Sequence, residues 1–478
     1  MNADGRALFA AICADPEDDT SRLVYADWLD EQGDEPRAEA LRMSIERRRL
    51  PEWEPRAWVL DARMDRLGEK HREGWDAELP KLVDGMWSTG RSGLVEQVRV
   101  SSGRSLLEQE EVIFSAGPIK SLSIDLAFEE NPDDTRLLAS CASMSRIRSL
   151  SLDGMVSPEL LGLRTLAASP YLTHLRHLQR CKCSDEDNLL EYLAECPSFP
   201  NLESLTLFGA DFTATGCEAL ARSPLLQTLQ RLNIWNANIN NAGLRHLMGM
   251  PHFGQLRELR LSDNRLTPQP FKRFFAIDWQ CLEHLDLSMN SLHPTAVRHL
   301  AACLRMNRLR WLDLSANYRD FGDAGANVLA RASHLDDLCV LAIGSNDLTH
   351  VGLDPLAHAV WASNLARLDL NGTHLTDREL CGLASPAFGN LRWLDLGYGK
   401  ITDEEIPRIL DIPWLPYLTH LILSNNQIGR KGARLLASAL LDQIEHLDLT
   451  SNKIAEPERE LLRERFGDRV RLRNSWER

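Results

Sequence analysis

The chain has 478 residues, 44% of them hydrophobic and 26% charged, and its 54 Lys and Arg against 69 Asp and Glu leave a net charge of -15. That length allows several ordinary domains, and no apolar run is long enough to span a membrane. The acidic balance argues against nucleic acid, whose phosphates need clustered cations and counterion release. The N-terminus, MNADGRALFAAICAD, has no basic n-region and too short an apolar core, so no signal peptide is expected and the cytoplasm is the expected compartment. The ten cysteines are scattered rather than spaced as a disulfide framework, and free thiols are expected.

Residues 4–50 have helical spacing at Leu8 and Ile12, at Leu23, Val24, Trp28 and Leu29, and at Leu41 and Ile45. Asp19 and Thr20 are candidate N-caps for the second helix, and Gly33 is placed to stop it. The acids Asp15, Asp18, Asp19, Asp27, Asp30, Glu31 and Asp34 do not follow the alternating ligand order of a calcium loop. They read as caps and a solvated helix face. The stretch Leu23-Val24-Tyr25-Ala26-Asp27-Trp28-Leu29-Asp30, followed by Gly33-Asp34, resembles the small bacterial repeat-companion domain that precedes repeat arrays. The resemblance implies a relationship and no activity.

Residues 51–92 read as a joint. Pro51 and Pro55 end the preceding helix, and an amphipathic run from Arg56 to His71 starts another. Trp75, Leu79, Leu82, Val83 and Trp87 then supply bulky apolar groups just ahead of Gly93. A repeat array needs its first sheet edge and open core covered, so this segment is expected to be an N-terminal cap.

From there the chain repeats. Lines such as LEHLDLSMN at Leu282 and LRWLDLSAN at Leu309 recur from Ile147 to Ile444 with steps of 26 to 29 residues, and fainter units start at Val95 and Ile119. Leucines at positions 4 and 6 of the line, with polar residues between, give the period of a half-buried strand. A helix-period stretch follows, as in Gly325, Val328 and Leu329, or Gly432, Leu435, Leu436 and Leu440. One strand and one helix cannot bury both apolar faces alone, so the units must stack. Position 9 carries Asn264, Asn290, Asn317, Asn346, Asn426 and Asn452, whose inward amides are expected to bond the backbone of the adjacent turn. Other units place Ala210, Ala237, Thr373, Gly399 or Cys183 there. The line and its helical second half resemble the leucine-rich repeat of the ribonuclease-inhibitor type.

That resemblance implies an α/β solenoid, a horseshoe with a parallel inner sheet and outer helices, preceded by a small all-α domain. The expected divisions are 1–50 for the helical domain, 51–92 for the joint and cap, 93–455 for the array, and 456–478 for a C-terminal cap. The last is built from a helix over Glu456 to Phe466 and a short strand, Val470 to Leu472.

No metal, cofactor or catalytic constellation stands out. His174, His177, Cys181, Cys183 and Cys196 crowd one unit, but their register sends them different ways and no second paired-ligand motif completes a set of four. Arg180 in the same unit occupies an inward leucine position, where its charge needs a partner. No GxSxG, HExxH, phosphate-loop or dinucleotide-binding line occurs, so the chain is not expected to be an enzyme. Nothing singles out a GTPase-regulating role, which repeat proteins of similar build can have.

With positions 4 and 6 inward, positions 3, 5 and 7 project from the concave face. In the later units position 5 reads Asp286, Asp313, Ala342, Asp369, Asp395, Ile422 and Asp448, and position 3 reads His284, Trp311, Val340, Arg367, Trp393, His420 and His446. Neighbouring strands lie about 4.8 Å apart, so adjacent aspartates repel unless paired or screened. An acidic stripe edged by Trp and His suits a cationic protein segment. The same aspartates also read as drift around an ordinary LDLS consensus. Earlier units offer hydroxyls at Ser121, Ser123, Ser149, Ser151, Ser204 and Thr206, with Phe208 and Trp235 as a second anchor. The expected function is non-catalytic protein binding on the concave face by a single chain. A spacer presenting the N-terminal domain is the open alternative.

Overall fold

A short strand with one apolar face is unstable by itself, and here each repeat's strand is completed by the next. The structure, a computed structural model, describes residues 2–125, 132–153, 165–181, 190–191, 194, 199–209 and 211–473. Cys183, Cys196 and Ala210, with the side chains of Arg180 and Cys181, lie outside the described residues. The chain forms two compact units, residues 1–51 with 63–256 and residues 52–62 with 257–478. Residues 52–62, expected within the joint and cap ahead of the array, thus group with the later repeats.

The first unit opens with helices α1 (Ala3–Ala14), α2 (Asp19–Glu31) and α3 (Glu35–Arg48). The N-cap of α2 is Asp18, one residue ahead of the expected pair, and its carboxylate accepts the Thr20 and Ser21 N–H groups at 3.0 Å. Gly33, at φ +83°, reverses the chain into Asp34, which caps α3. The buried face of α2 is Arg22, Tyr25, Ala26 and Leu29, whereas Leu23 and Val24 are exposed. The cause is Arg22, which is sealed from solvent, pairs with Glu96 at 2.7 Å and donates to the Pro16 carbonyl at 2.9 Å. Once that guanidinium turns inward, the two apolar residues after it must turn out. Asp19 pairs with Arg48 and Arg49, and Asp27 and Asp30 pair with Arg42, so these acids serve caps and ion pairs.

A fourth helix, α4 (Pro55–Ala77), begins in the second unit, and its residues from Arg63 onward group with the first. The first unit's strands are β1 (Gly85–Thr89), β2 (Val95–Val100), β3 (Ser121–Asp125), β4 (Ser149–Asp153), β5 (His177–Cys181), β6 (Ser204–Phe208) and β7 (Arg231–Trp235). β1 lies antiparallel to β2, and the others pair in parallel with repeat positions matched, as in Leu122 with Leu150 and Leu205 with Leu232.

The second unit continues with β8 (Glu258–Arg260), β9 (His284–Asp286), β10 (Trp311–Asp313), β11 (Val340–Ala342), β12 (Arg367–Asp369), β13 (Trp393–Asp395), β14 (His420–Ile422), β15 (His446–Asp448) and β16 (Val470–Arg471). All are parallel, with Leu285, Leu312, Leu341, Leu368, Leu394, Leu421 and Leu447 in one buried row. The asparagines do what position 9 predicts. Asn317 donates to the carbonyls of Leu287 and Leu314, at 3.2 and 2.9 Å, and accepts the Leu292 N–H at 3.0 Å, tying its own turn to the preceding one. Asn290, Asn346, Asn426 and Asn452 repeat the pattern.

The outer helices correct one reading. In Arg430–Ser438 the buried face is Gly432, Ala433, Leu436 and Ala437, while Leu435 and Leu440 are exposed. Close approach decides it, because a Cβ on Gly432 would sit within 3.0 Å of Asp403, Ile428 and Ile406. The helix Glu456–Phe466 occupies its expected span and precedes β16.

Candidate functional site: the inner strand faces

Position 3 of the second unit forms a ladder of rings and one guanidinium. His284 stacks on Trp311 at 4.8 Å, Trp393 on His420 at 4.3 Å, and His420 on His446 at 5.9 Å. Arg367 lies over Trp393 at 4.1 Å and within 5.3 Å of the Trp311 ring, bridging the two halves by cation–π contact. Burial depresses the Arg367 guanidinium, against the pull of Asp369 and Asp395. Burial also holds His284 well below the usual imidazole range, with Arg260 adding to it.

The aspartates of position 5 are turned partly on their own chain. Asp286 and Asp313 each accept the N–H and hydroxyl of the serine two residues on, and Asp448 does the same with Thr450. Asp369 and Asp395 accept the N–H groups of Asn371 and Gly397 at 3.0 and 2.8 Å. The register sets Asp286 opposite Asp313 and Asp369 opposite Asp395, as the repeat line predicts. Burial first, then the Asp286 charge, pushes Asp313 up to about 7, and burial with Asp369 pushes Asp395 up to about 6. Asp369 is raised by burial as well, with Arg367 opposing.

This face was expected to be open, and much of it is covered. His284 and His420 are only 4% and 2% exposed, and Val340, Ala342 and Ile422 are buried too. Part of the cover is residues 52–62. Glu52 meets Arg260 of β8 at 3.2 Å, and Trp58 packs against Trp393 of β13 with ring centroids 5.6 Å apart and planes at 82°. Contacts reaching from β8 to β13 mean that the segment runs across the strands. Trp58 is buried, and its indole N–H donates to the Glu52 carbonyl at 2.7 Å. Sequence reasoning missed this element; its signal was two tryptophans flanking a helix-starting proline in Glu52-Trp53-Glu54-Pro55-Arg56-Ala57-Trp58.

The first unit's inner face is of another kind. Ser121, Ser149, Ser151, Ser204 and Thr206 are half-buried, and Gln97 and Arg99 are exposed. Ser123 is buried and donates to Asp153 at 2.8 Å, where Arg99 also pairs at 2.9 Å. Phe208 and Trp235 stack at 4.8 Å with a 12° tilt, and Trp235 is 38% exposed. Among the described residues no group of His, Cys, Asp or Glu could hold a metal ion, and no helix is long and apolar enough to cross a membrane. Cys13, Cys141, Cys217, Cys281, Cys303, Cys339 and Cys381 are free thiols.

Comparison with known proteins agrees with this architecture. The family model described as leucine-rich repeat matches residues 415–437. Over 200 residues the chain is 36% identical to the ribonuclease inhibitor of Sus scrofa, a stretch that is 39% of this chain and 43% of that protein. The chain carries leucine-rich repeats similar to those of the ribonuclease inhibitor. The repeat protein spans less than half the length of that curated relative. Among solved structures it is similar to a chain of the yeast Rad7–Elc1 complex, at 17% identity and TM-score 0.47, covering 78% of this chain and 90% of that one. An internalin from Listeria monocytogenes gives 14% identity and TM-score 0.34 over 79% and 86% of the two chains. A chain of the TLR13–ssRNA13 complex gives 18% identity and TM-score 0.38 over 74% and 54%.

Proposed function

We propose that the chain is a non-catalytic protein-interaction module of the cytoplasm, acting as a single chain and taking a polypeptide partner on the inner strand faces of its repeats. One observation carries this reading: the second unit's inner face already holds a polypeptide, residues 52–62. The first unit offers the same scaffold with half-buried hydroxyls at Ser204 and Thr206, and Trp235 stacked on Phe208 supplies a rigid aromatic anchor of the kind that dominates interface energies. A partner therefore docks first around Phe208 and Trp235, with Ser204 and Thr206 donating hydrogen bonds at its edge.

A cationic partner segment also has a physical rationale in the second unit. Burial opposes ionisation of Asp313 and Asp395, and a Lys or Arg brought beside them would restore it. Trp311, Trp393, His284, His420 and His446 would flank that cation, with Asp286, Asp369 and Asp448 along the same row. The net charge of -15 disfavours nucleic acid as the partner. The likeness of α1–α3 to the bacterial repeat-companion domain belongs to the same proposal.

A photo-crosslinking residue at Thr206 in the full chain, compared with one at Glu218 on an outer helix, tests the reading. A protein adduct from position 206 alone is expected. Equal adducts from both positions, or a nucleic-acid adduct, would contradict it. The spacer alternative predicts that Phe208→Ala and Trp235→Ala leave partner capture unchanged.

A further inference from the structure

We propose that the inner face of the second unit is a groove for a tryptophan-bearing polypeptide segment that starts a helix, filled in cis by residues 52–62 and filled in trans by a partner segment of the same chemistry that displaces them. The proposal rests on the protein-binding reading only in taking the ligand to be polypeptide, and it concerns a different face from the Phe208–Trp235 anchor.

The occupant defines the ligand. A carboxylate, Glu52, meets the guanidinium of Arg260, which Glu258 also holds from its own strand. Two helical turns later at most, Trp58 lies nearly perpendicular to Trp393, whose faces are sandwiched between Arg367 and His420. The spacing of the two contacts is set within the segment, because the Trp58 indole N–H is tied to the Glu52 carbonyl and Pro55 opens the helix between them. Every feature that the groove grips is thus local in sequence, so a short stretch of another chain can carry all of them.

The cis fit is also incomplete. Nε1 of Trp393 and Nε of Arg367 are buried without a hydrogen-bond partner. Buried donors left unpaired are costly, and supplying an acceptor to one commonly strengthens binding by about tenfold. A partner segment that brings a carbonyl or hydroxyl to these two atoms makes bonds that residues 52–62 do not make. Against it stands the tether: a segment held in the same chain competes at an effective concentration of the order of millimolar. Displacement consequently needs either the extra hydrogen bonds or a weakened cis contact.

The test uses the full chain and a fluorescein-labelled peptide spanning Leu50 to Ala62, read by anisotropy. Weak binding is expected for the wild-type chain, and binding at least about tenfold tighter for Trp58→Ala, whose own segment has lost its anchor. Adding Trp393→Ala should abolish the gain, and a peptide carrying Trp58→Ala should not bind. If circular dichroism shows Trp58→Ala unfolded, Glu52→Ala in the chain replaces it, since Glu52 is exposed and the change loosens only the cis contact. Hydrogen exchange within residues 52–62 of the wild-type chain should rise at saturating peptide. Peptide binding no tighter to a folded Trp58→Ala or Glu52→Ala chain than to wild type overturns the groove, and leaves the outcome at Thr206 to judge the wider reading on its own.

Discussion

The two units use one repeat to build two different inner faces. In the second, position 5 is an aspartate that caps its own strand end, position 9 is an asparagine that ties successive turns, and position 3 is a stacked row under a covering segment. In the first, position 5 carries Ser123, Ser151, Thr206 and Asn233, position 9 carries Ala237, and Trp235 reaches solvent. Departure from the consensus and exposure of the face thus occur together. Where the line is most regular its polar residues are engaged by their own backbone, and where it drifts they turn to one another, as Ser123 and Arg99 do to Asp153, while the Trp235 ring reaches solvent.

The largest way to sharpen that contrast is Asn317→Ala. It orphans the buried Leu292 N–H and takes one of two amide donors from each of the Leu287 and Leu314 carbonyls, which keep Asn290 and Asn346, and at roughly 1–3 kcal/mol for the unpaired group and about 1 kcal/mol for each lost bond the second unit should lose about 4 kcal/mol in urea unfolding. Ala237, at that position in the first unit, has no side-chain amide to lose. Next is Trp393→Ala, which removes stacking on His420, Arg367 and Trp58. A cost of about 3 kcal/mol is expected, against about 1 kcal/mol or less for the exposed Trp235→Ala, both measured by denaturant titration.

A smaller effect follows from pH. Asp313 in the folded chain titrates at about 7, above the ordinary carboxylate value, so its ionisation weighs against the fold. That cost is full above pH 7 and is relieved as the pH falls from 7 towards about 4, where the unfolded carboxyl also protonates. Asp313→Asn should therefore raise the melting temperature at pH 8 by about 3 °C, corresponding to roughly 1 kcal/mol for a unit of this size, and the gap should close towards pH 4. A constant gap would show that burial and Asp286 do not shift this group. The smallest effect is that of Arg260→Ala, which breaks a partly exposed pair and should cost under about 1 kcal/mol.

Much of this architecture is legible in the sequence because the repeat carries its own register. The strand at Leu285, the buried amide of Asn317 and the adjacency of Asp286 to Asp313 all follow from counting positions along one line. The α2 surface did not follow, since apolar spacing cannot foresee that Arg22 turns inward to reach Glu96. Nor did the segment across the second unit's face. Its contact between Glu52 and Arg260 joins residues 208 apart in sequence, with no repeat to set a register, and Trp58 reads equally well as a cap residue until its neighbours are known. The aspartate stripe was visible as a pattern, but its use in bonding Ser288, Ser315 and Thr450 depended on the turn geometry after each strand.

The contrast between a covered and an open face is tested most directly by tryptophan oxidation footprinting of the intact chain, read residue by residue by mass spectrometry. Trp235 should be modified several-fold faster than Trp58 and Trp393, whose rings shield one another. Equal rates at the three indoles would mean that residues 52–62 do not cover the second unit's strands, and the account built on that cover would fail.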